Sequence, residues 1–481
     1  MHTHWSWSAA AALTLGLAAC GGDGGSDTTT TPTYTRGVVL SGPTVTANFA
    51  TATDLQTALA ASTAGTQLMA LGGAPQCGVR IASIEYTTVG GAGEEANGTT
   101  AVMLPQGAGA ACTGARPVLL YAHGTATDRN YNLANPSNGE AALAMTMFAS
   151  QGFIVVAPNY VGYGASTATV HPYLNAEQQS SDMLDALRAA RTSFAGLGVT
   201  DSGKLLVSGY SQGGHVAMAT ARAIESGSYG SEFKLTASGP MSGPYALSSM
   251  LRTVFNGGVN LGAFVFTPML MTSWQHAYGD LYSQPSDAYE AAYASTIEGV
   301  LPSTQTSTEL LAAGKLAPYL FASDPLVTGT AFDAVFAAGV GTPNLVRTSY
   351  RQTVLGNAAH PLWAAAARND LLNWTPTRPM ALCYGANDPV VFGGNSTAAA
   401  TYFAAHTAAG VVTRMDVEDA STVGTALAGG FAQAVQATAD TATAAGGNGT
   451  QEVLLSYHGS LVPPFCAVAV RSFFQQVLAA S

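Results

Sequence analysis

The hexapeptide Gly209-Tyr210-Ser211-Gln212-Gly213-Gly214 sets a serine between glycines, which lack a Cβ, and lies between an apolar run, Lys204 to Ser208, and a helical pattern, His215 to Ile224. This is G-x-S-x-G in a strand-turn-helix setting. Strand and helix approach closely there only if the flanking residues are small, and the sharp turn then leaves the serine hydroxyl exposed. A helix N-terminus behind Ser211 favours the negative charge that develops when the hydroxyl attacks a carbonyl. The pattern arises by chance in a chain with 54 glycines. Its strand-turn-helix context is what gives it weight.

A hydroxyl is a weak nucleophile, so a histidine must take its proton and a carboxylate must orient that histidine. For a serine on such a turn the chain order is Ser, then Asp or Glu, then His. Asp388 lies in Tyr384-Gly385-Ala386-Asn387-Asp388-Pro389-Val390-Val391, after the apolar run Met380 to Tyr384. Beyond it only His406 and His458 remain. His406 sits in an Ala-rich helical stretch and reads as a surface or packing residue. His458 follows the run Val453-Leu454-Leu455-Ser456, which reads as the last strand. The fallback acids are Asp416, Glu418 and Asp419, in a segment that reads as an irregular insertion. Two N–H donors must also face the developing oxyanion. Gln212 supplies one by its place after the nucleophile, and Thr125 the second, with Gly124 as the alternative, from the loop His123-Gly124-Thr125. His123 itself fixes that turn rather than acting as a base.

The elements that must carry these residues are visible as texture. Val79 to Tyr86 and Thr99 to Leu104 flank the turn Gly90 to Gly93 and read as an antiparallel pair. Pro117 to Ala122, Phe153 to Ala157 and Leu205 to Ser208 are continuous apolar runs, as expected of strands covered on both faces. Helical patterns at Ala141 to Ser150 and Glu177 to Phe194 alternate with them, and further strands are expected at Leu235 to Ser238 and Met380 to Tyr384. The alternation predicts a mostly parallel, doubly wound α/β sheet. Residues 246–375 supply no strand but hold helix-like spacing, including Ala288 to Ile297 and Pro361 to Asn373. They read as a helical cap, dividing the catalytic core into 41–245 and 376–481. Phe, Leu, Met and Trp residues of the insertion are candidates to line an acyl pocket, with Trp274, Trp363 and Trp374 assigned to packing of the cap. Asp370 reads as a helix-end or salt-bridge carboxylate.

Taken together, Tyr121 to Thr125, Asn159-Tyr160-Val161-Gly162-Tyr163-Gly164, His171-Pro172-Tyr173, Gly209 to Gly214, Asn369-Asp370 with Trp374 and Pro376, and Gly385 to Val391 resemble the secretory-lipase-like α/β-hydrolases. The resemblance spans roughly residues 115 to 400 and the His458 segment. It implies the α/β-hydrolase fold with an inserted helical cap. It also implies esterase or lipase activity, with Ser211, Asp388 and His458 as the triad and a hydrophobic ester as substrate. A peptidase on the same fold uses the same triad, and a surface binding protein that lost activity would keep the fold. Polyester cleavage is a substrate question within the ester reading.

Bulk properties bound the remainder. Of 481 residues, 47% are apolar and 9% charged, which suits a large buried core. The net charge of -11, with 17 Lys and Arg, leaves no basic stripe for nucleic acid. No dinucleotide fingerprint, Walker loop or zinc spacing is present, so no cofactor and no metal are expected. Residues 1–19 read as a lipoprotein signal peptide, because Leu17-Ala18-Ala19-Cys20-Gly21 resembles a bacterial lipobox with Cys20 as the lipidated residue. Residues 20–40 then read as a flexible tether, placing the enzyme outside the cytoplasm, anchored to a membrane or secreted. Removing Cys20 leaves Cys77, Cys112, Cys383 and Cys466, an even set suited to two disulfides. Of the three pairings, Cys77 with Cys112 and Cys383 with Cys466 is favoured.

Overall fold

Strands β1 (Val39–Phe49), β2 (Gly78–Val89), β3 (Glu95–Gln106), β4 (Ala115–Ala122), β5 (Ile154–Pro158), β6 (Thr200–Tyr210), β7 (Leu235–Met241), β8 (Met380–Tyr384) and β9 (Val412–Asp416) form one sheet in the computed structural model. The structure describes residues 34–227, 229–322 and 344–480. The expected signal segment, Cys20 and the tether through residue 33 lie outside the described residues. From Thr35 onward the chain makes one compact unit.

The strand order is β1-β2-β3-β5-β4-β6-β7-β8-β9. β1, β2, β3 and β5 pair antiparallel in that order, whereas every pairing from β5 through β4, β6, β7 and β8 to β9 is parallel. Side chains alternate across a strand, so each apolar run feeds two cores. Val118, Leu120, Ala122, Ile154, Val156 and Val207 join one cluster with the helices Ala176–Ser193 and Gln212–Glu225. Leu119, Tyr121, Val155, Leu206, Ala381 and Cys383 join the opposite one with Gly139–Met147 and Val462–Ala479. Each fully buried Val, Leu or Ile contributes roughly 1.5–3 kcal/mol. A third apolar cluster belongs largely to 246–375, with Trp274, Trp363 and Tyr289 at its centre. Trp374 packs elsewhere, against Phe403 in the sheet cluster, rather than in this third cluster as expected.

Several expectations need correction. Val453 to Ser456 is not a strand but the end of the helix Gly449–Ser456, capped by the Asn448 side chain on the Gln451 N–H. Leu455 is exposed there, so the run never enters a two-sided core. The last strand is β9, in the segment read as irregular. Ala288 to Ile297 is no single helix, because Tyr289 and Glu290 are extended between short turns. The tether expected through residue 40 ends earlier. Arg36 already pairs with Asp185 at 2.8 Å and β1 starts at Val39. Disulfides join Cys77 to Cys112 and Cys383 to Cys466. The second ties β8 to the helix Val462–Ala479.

Candidate active site

Ser211 stands between β6 and the helix Gln212–Glu225 at φ 60° and ψ -120°, a strained backbone for a residue with a Cβ. The surrounding glycines make that turn feasible. A Cβ at Gly209 would come within 2.4 Å of the Ala122 carbonyl oxygen, one at Gly213 within 2.0 Å of the same atom, and one at Gly214 within 2.3 Å of the Met241 oxygen. The turn therefore presses against the ends of β4 and β7, and the Ser211 hydroxyl emerges above the sheet.

His458 comes from a π-helical turn, Tyr457–Leu461, wedged between the helices Gly449–Ser456 and Val462–Ala479. Its Nε2 lies 2.8 Å from Ser211 Oγ and its Nδ1 2.5 Å from Asp388 Oδ2. Asp388 follows β8, and its other oxygen accepts the N–H groups of Val390 at 2.9 Å and Val391 at 3.0 Å. The Tyr210 hydroxyl donates to the His458 carbonyl at 2.6 Å, fixing the turn from the residue before the serine. All three of Ser211, His458 and Asp388 are buried. None of the fallback acids takes this place. Asp416 Oδ1 accepts the Glu418 N–H, Asp419 caps the turn Ala420–Val423, and Glu418 reaches Asn387 and Tyr457. His406 is exposed and stacked on Tyr402.

Around the oxyanion position the two backbone candidates separate. The Gly124 N–H donates to both oxygens of Glu140, at 3.0 and 3.1 Å, so it is already spent. Thr125 follows it, and its hydroxyl meets the Tyr173 hydroxyl at 2.8 Å. Gln212 opens its helix, where the first N–H groups lack intrahelical acceptors. Glu140 also accepts the hydroxyls of Tyr121 and Tyr131, both at 2.9 Å, and burial pushes its pKa up despite these donors. His123 is buried between the rings of Tyr131 and Tyr160, and burial lowers its pKa to about 4, which keeps it neutral. It contacts the Gly124 and Asn159 carbonyls and so shapes the loop, as the sequence suggests. Tyr160 and Tyr163 donate to the carbonyls of His123 and Ala126, at 2.9 and 2.5 Å. His171, also buried and lowered to about 3, donates from Nδ1 to the Val161 carbonyl at 2.8 Å and receives the Gln212 amide at Nε2 at 2.7 Å.

Glu140, the side chain of Gln212, and Glu418 as a structural link escape a reading of spacing. Their partners are far apart in sequence, and only the quoted motif around His171 to Tyr173 hinted at this neighbourhood. Asp370 is a helix-end carboxylate, accepting the Ser248 N–H at 2.9 Å. A pocket of about 710 Å³ lies beside the Asp388 loop, walled by Phe392, Phe431, Val435, Val453 and Leu454 rather than by residues 246–375.

A family model described as Secretory lipase matches residues 138–282, a span that includes Ser211. Among solved structures, a rice cell wall degrading esterase, LipA from Xanthomonas oryzae, is 27% identical, with a TM-score of 0.70 over 92% of this chain and 99% of that one. A putative hydrolase from Legionella pneumophila is 19% identical, with a TM-score of 0.63 over 79% of this chain and 91% of that one, a likeness of fold. No curated protein matches the chain. With the mostly parallel nine-stranded sheet and the turn at its centre, these matches give the chain the α/β-hydrolase fold, with a likeness to the secretory lipases over residues 138–282.

Proposed function

We propose that the protein hydrolyses carboxylic esters outside the cytoplasm through an acyl-enzyme on Ser211. The observation that carries this reading is the continuous hydrogen-bonded line from Ser211 through His458 to Asp388. In it, His458 Nε2 takes the hydroxyl proton as Ser211 Oγ attacks the ester carbonyl. Asp388, held by two backbone N–H groups, keeps the Nδ1 proton in place and stabilises the imidazolium. The N–H groups of Gln212 and Thr125 receive the oxyanion. The engagement of Gly124 by Glu140 supports Thr125 as the loop donor. His458 then protonates the departing alkoxide, and water repeats the sequence on the acyl-enzyme. The secretory-lipase match and the LipA esterase support an ester as substrate, and the two disulfides fit an oxidising compartment. Lipidation at Cys20 follows from the lipobox-like sequence alone.

Residues 246–375 act in this reading as a cap. Their own apolar cluster supports it, as do the Leu261 N–H on the Pro389 carbonyl at 3.0 Å and the Asn260 amide on the Val390 carbonyl at 2.8 Å. Ser211→Ala and His458→Ala should each lower kcat on a p-nitrophenyl ester by roughly a million-fold, and Asp388→Asn by roughly ten thousand-fold. Activity that survives Ser211→Ala would sink the mechanism. Because an amine leaves less readily than an alkoxide, matched anilides should be nearly inert. Anilides cleaved as fast as esters would instead favour a peptidase.

A further inference from the structure

The geometry points to Glu418 as a positioning residue that holds the acid loop and the base turn in register, an inference that rests on the roles given above to Asp388 and His458. Glu418 stands just past β9, the strand beside β8. Its Oε1 accepts the Asn387 N–H at 2.9 Å and also the Tyr457 hydroxyl, while its Oε2 accepts the Asn387 side-chain amide at 2.7 Å. Asn387 immediately precedes Asp388, and Tyr457 immediately precedes His458. One carboxylate thus grips both segments one residue from each member of the acid–base pair.

The surroundings fix the Glu418 backbone and Tyr457, while the side chains of Glu418 and Asn387 are exposed. The Glu418 backbone is pinned to the sheet, with its N–H on Asp416 Oδ1 at 3.1 Å and the neighbouring Val417 N–H on the Tyr384 carbonyl at 3.0 Å. Tyr457 is buried, with its ring edge-on to Phe431 at 5.8 Å. A Cβ at Gly385 would lie 2.5 Å from the Tyr457 hydroxyl, so the acid loop is thinned where that hydroxyl passes to reach Glu418. Burial, and then the nearby carboxylate, raise the Tyr457 pKa, which keeps it a donor. Three charge-assisted hydrogen bonds to one carboxylate are each stronger than neutral ones. The 2.5 Å contact between His458 and Asp388 joins the same two segments, and an error of about 1 Å in such alignment costs up to about 100-fold in rate.

The test is steady-state kinetics on a soluble p-nitrophenyl ester together with the downfield proton resonance of the His458 Nδ1–H. Glu418→Ala should lower kcat by about 10- to 100-fold, change KM by less than about two-fold, and weaken or shift the resonance. Tyr457→Phe should show a smaller loss of the same kind. The double variant should be no slower than Glu418→Ala, because both substitutions break one unit. Glu418→Gln, which keeps shape and one acceptor, should recover part of the rate. If Glu418→Ala fails to fold, Tyr457→Phe and Glu418→Gln carry the same comparison. Wild-type kcat and an unchanged resonance in these variants, or strictly additive losses in the double variant, would overturn the assignment. If Ser211→Ala and His458→Ala are inactive while Glu418→Ala is not, the clamp alone is wrong. If Ser211→Ala is active, the underlying reading is what fails.

Discussion

Glu140 shows how much a single buried acceptor can organise. It collects the Gly124 N–H and the hydroxyls of Tyr121 and Tyr131, so removing it leaves three donors facing a void. Each unsatisfied buried group costs about 1–3 kcal/mol, and loss of an oxyanion donor costs about 100- to 1000-fold in kcat. Glu140→Ala should therefore lower the melting temperature and reduce kcat by about 100-fold, measured by thermal denaturation and by ester turnover. A variant that melts lower with unchanged kcat would separate Glu140 from the oxyanion loop. Buried titratable groups also set opposing pH responses. His171, lowered to about 3, contributes stability that is full above the unfolded histidine value of about 6.5 and is lost as the pH falls toward about 3. Asp182, raised to about 7 by burial, contributes stability that is full below the unfolded carboxyl value and is lost as the pH rises through about 7. Urea unfolding from pH 4 to pH 8 should thus show His171→Gln losing less stability on acidification than the wild type. Asp182→Asn should lose less on going to neutral pH. Identical slopes for all three proteins would refute both assignments. Ser211 was legible because glycine sterics leave a local mark in sequence. Glu140 was not, since its partners lie 9 to 19 residues away and meet it only in three dimensions.

At the level of elements, legibility follows burial. β4, β5, β6, β7 and β8 were readable because their central residues are covered on both faces and stay apolar. β1 and β9 lie at the two edges of the sheet and are largely exposed or half-buried, so their sequences carry no continuous apolar run. The converse error, Val453 to Ser456, arose because a short apolar run does not distinguish strand from helix. That segment leads into the π turn at Tyr457–Leu461, an inserted-residue device found often at functional sites. Deleting the exposed Ser460 should remove the extra residue of the π turn, while Pro463 and Pro464 still open the helix that follows. At 3.6 residues per turn this rotates His458 by roughly 100° relative to Val462–Ala479. The deleted protein should keep its far-ultraviolet circular dichroism and lose ester turnover. Retained turnover would show that the π turn does not set the aim of the base.

Across the whole molecule, two disulfides look alike in sequence and differ in what they span. Cys77–Cys112 joins loops on the antiparallel side of the sheet, away from Ser211. Cys383–Cys466 joins the strand that leads to Asp388 to the helix that leaves His458. Each closes a loop worth about 2–4 kcal/mol. The paired replacement Cys77→Ala with Cys112→Ala should therefore lower the melting temperature and leave kcat near the wild-type value. Cys383→Ala with Cys466→Ala should lower both, as read by thermal melts and ester kinetics. Equal kcat in the two double variants would deny the second bond any part in aligning acid and base. If the difference holds, oxidation tunes the turnover of this chain as well as its stability. Under the proposed role outside the cytoplasm, copies whose Cys383–Cys466 bond has not yet formed would turn esters over more slowly than oxidised ones.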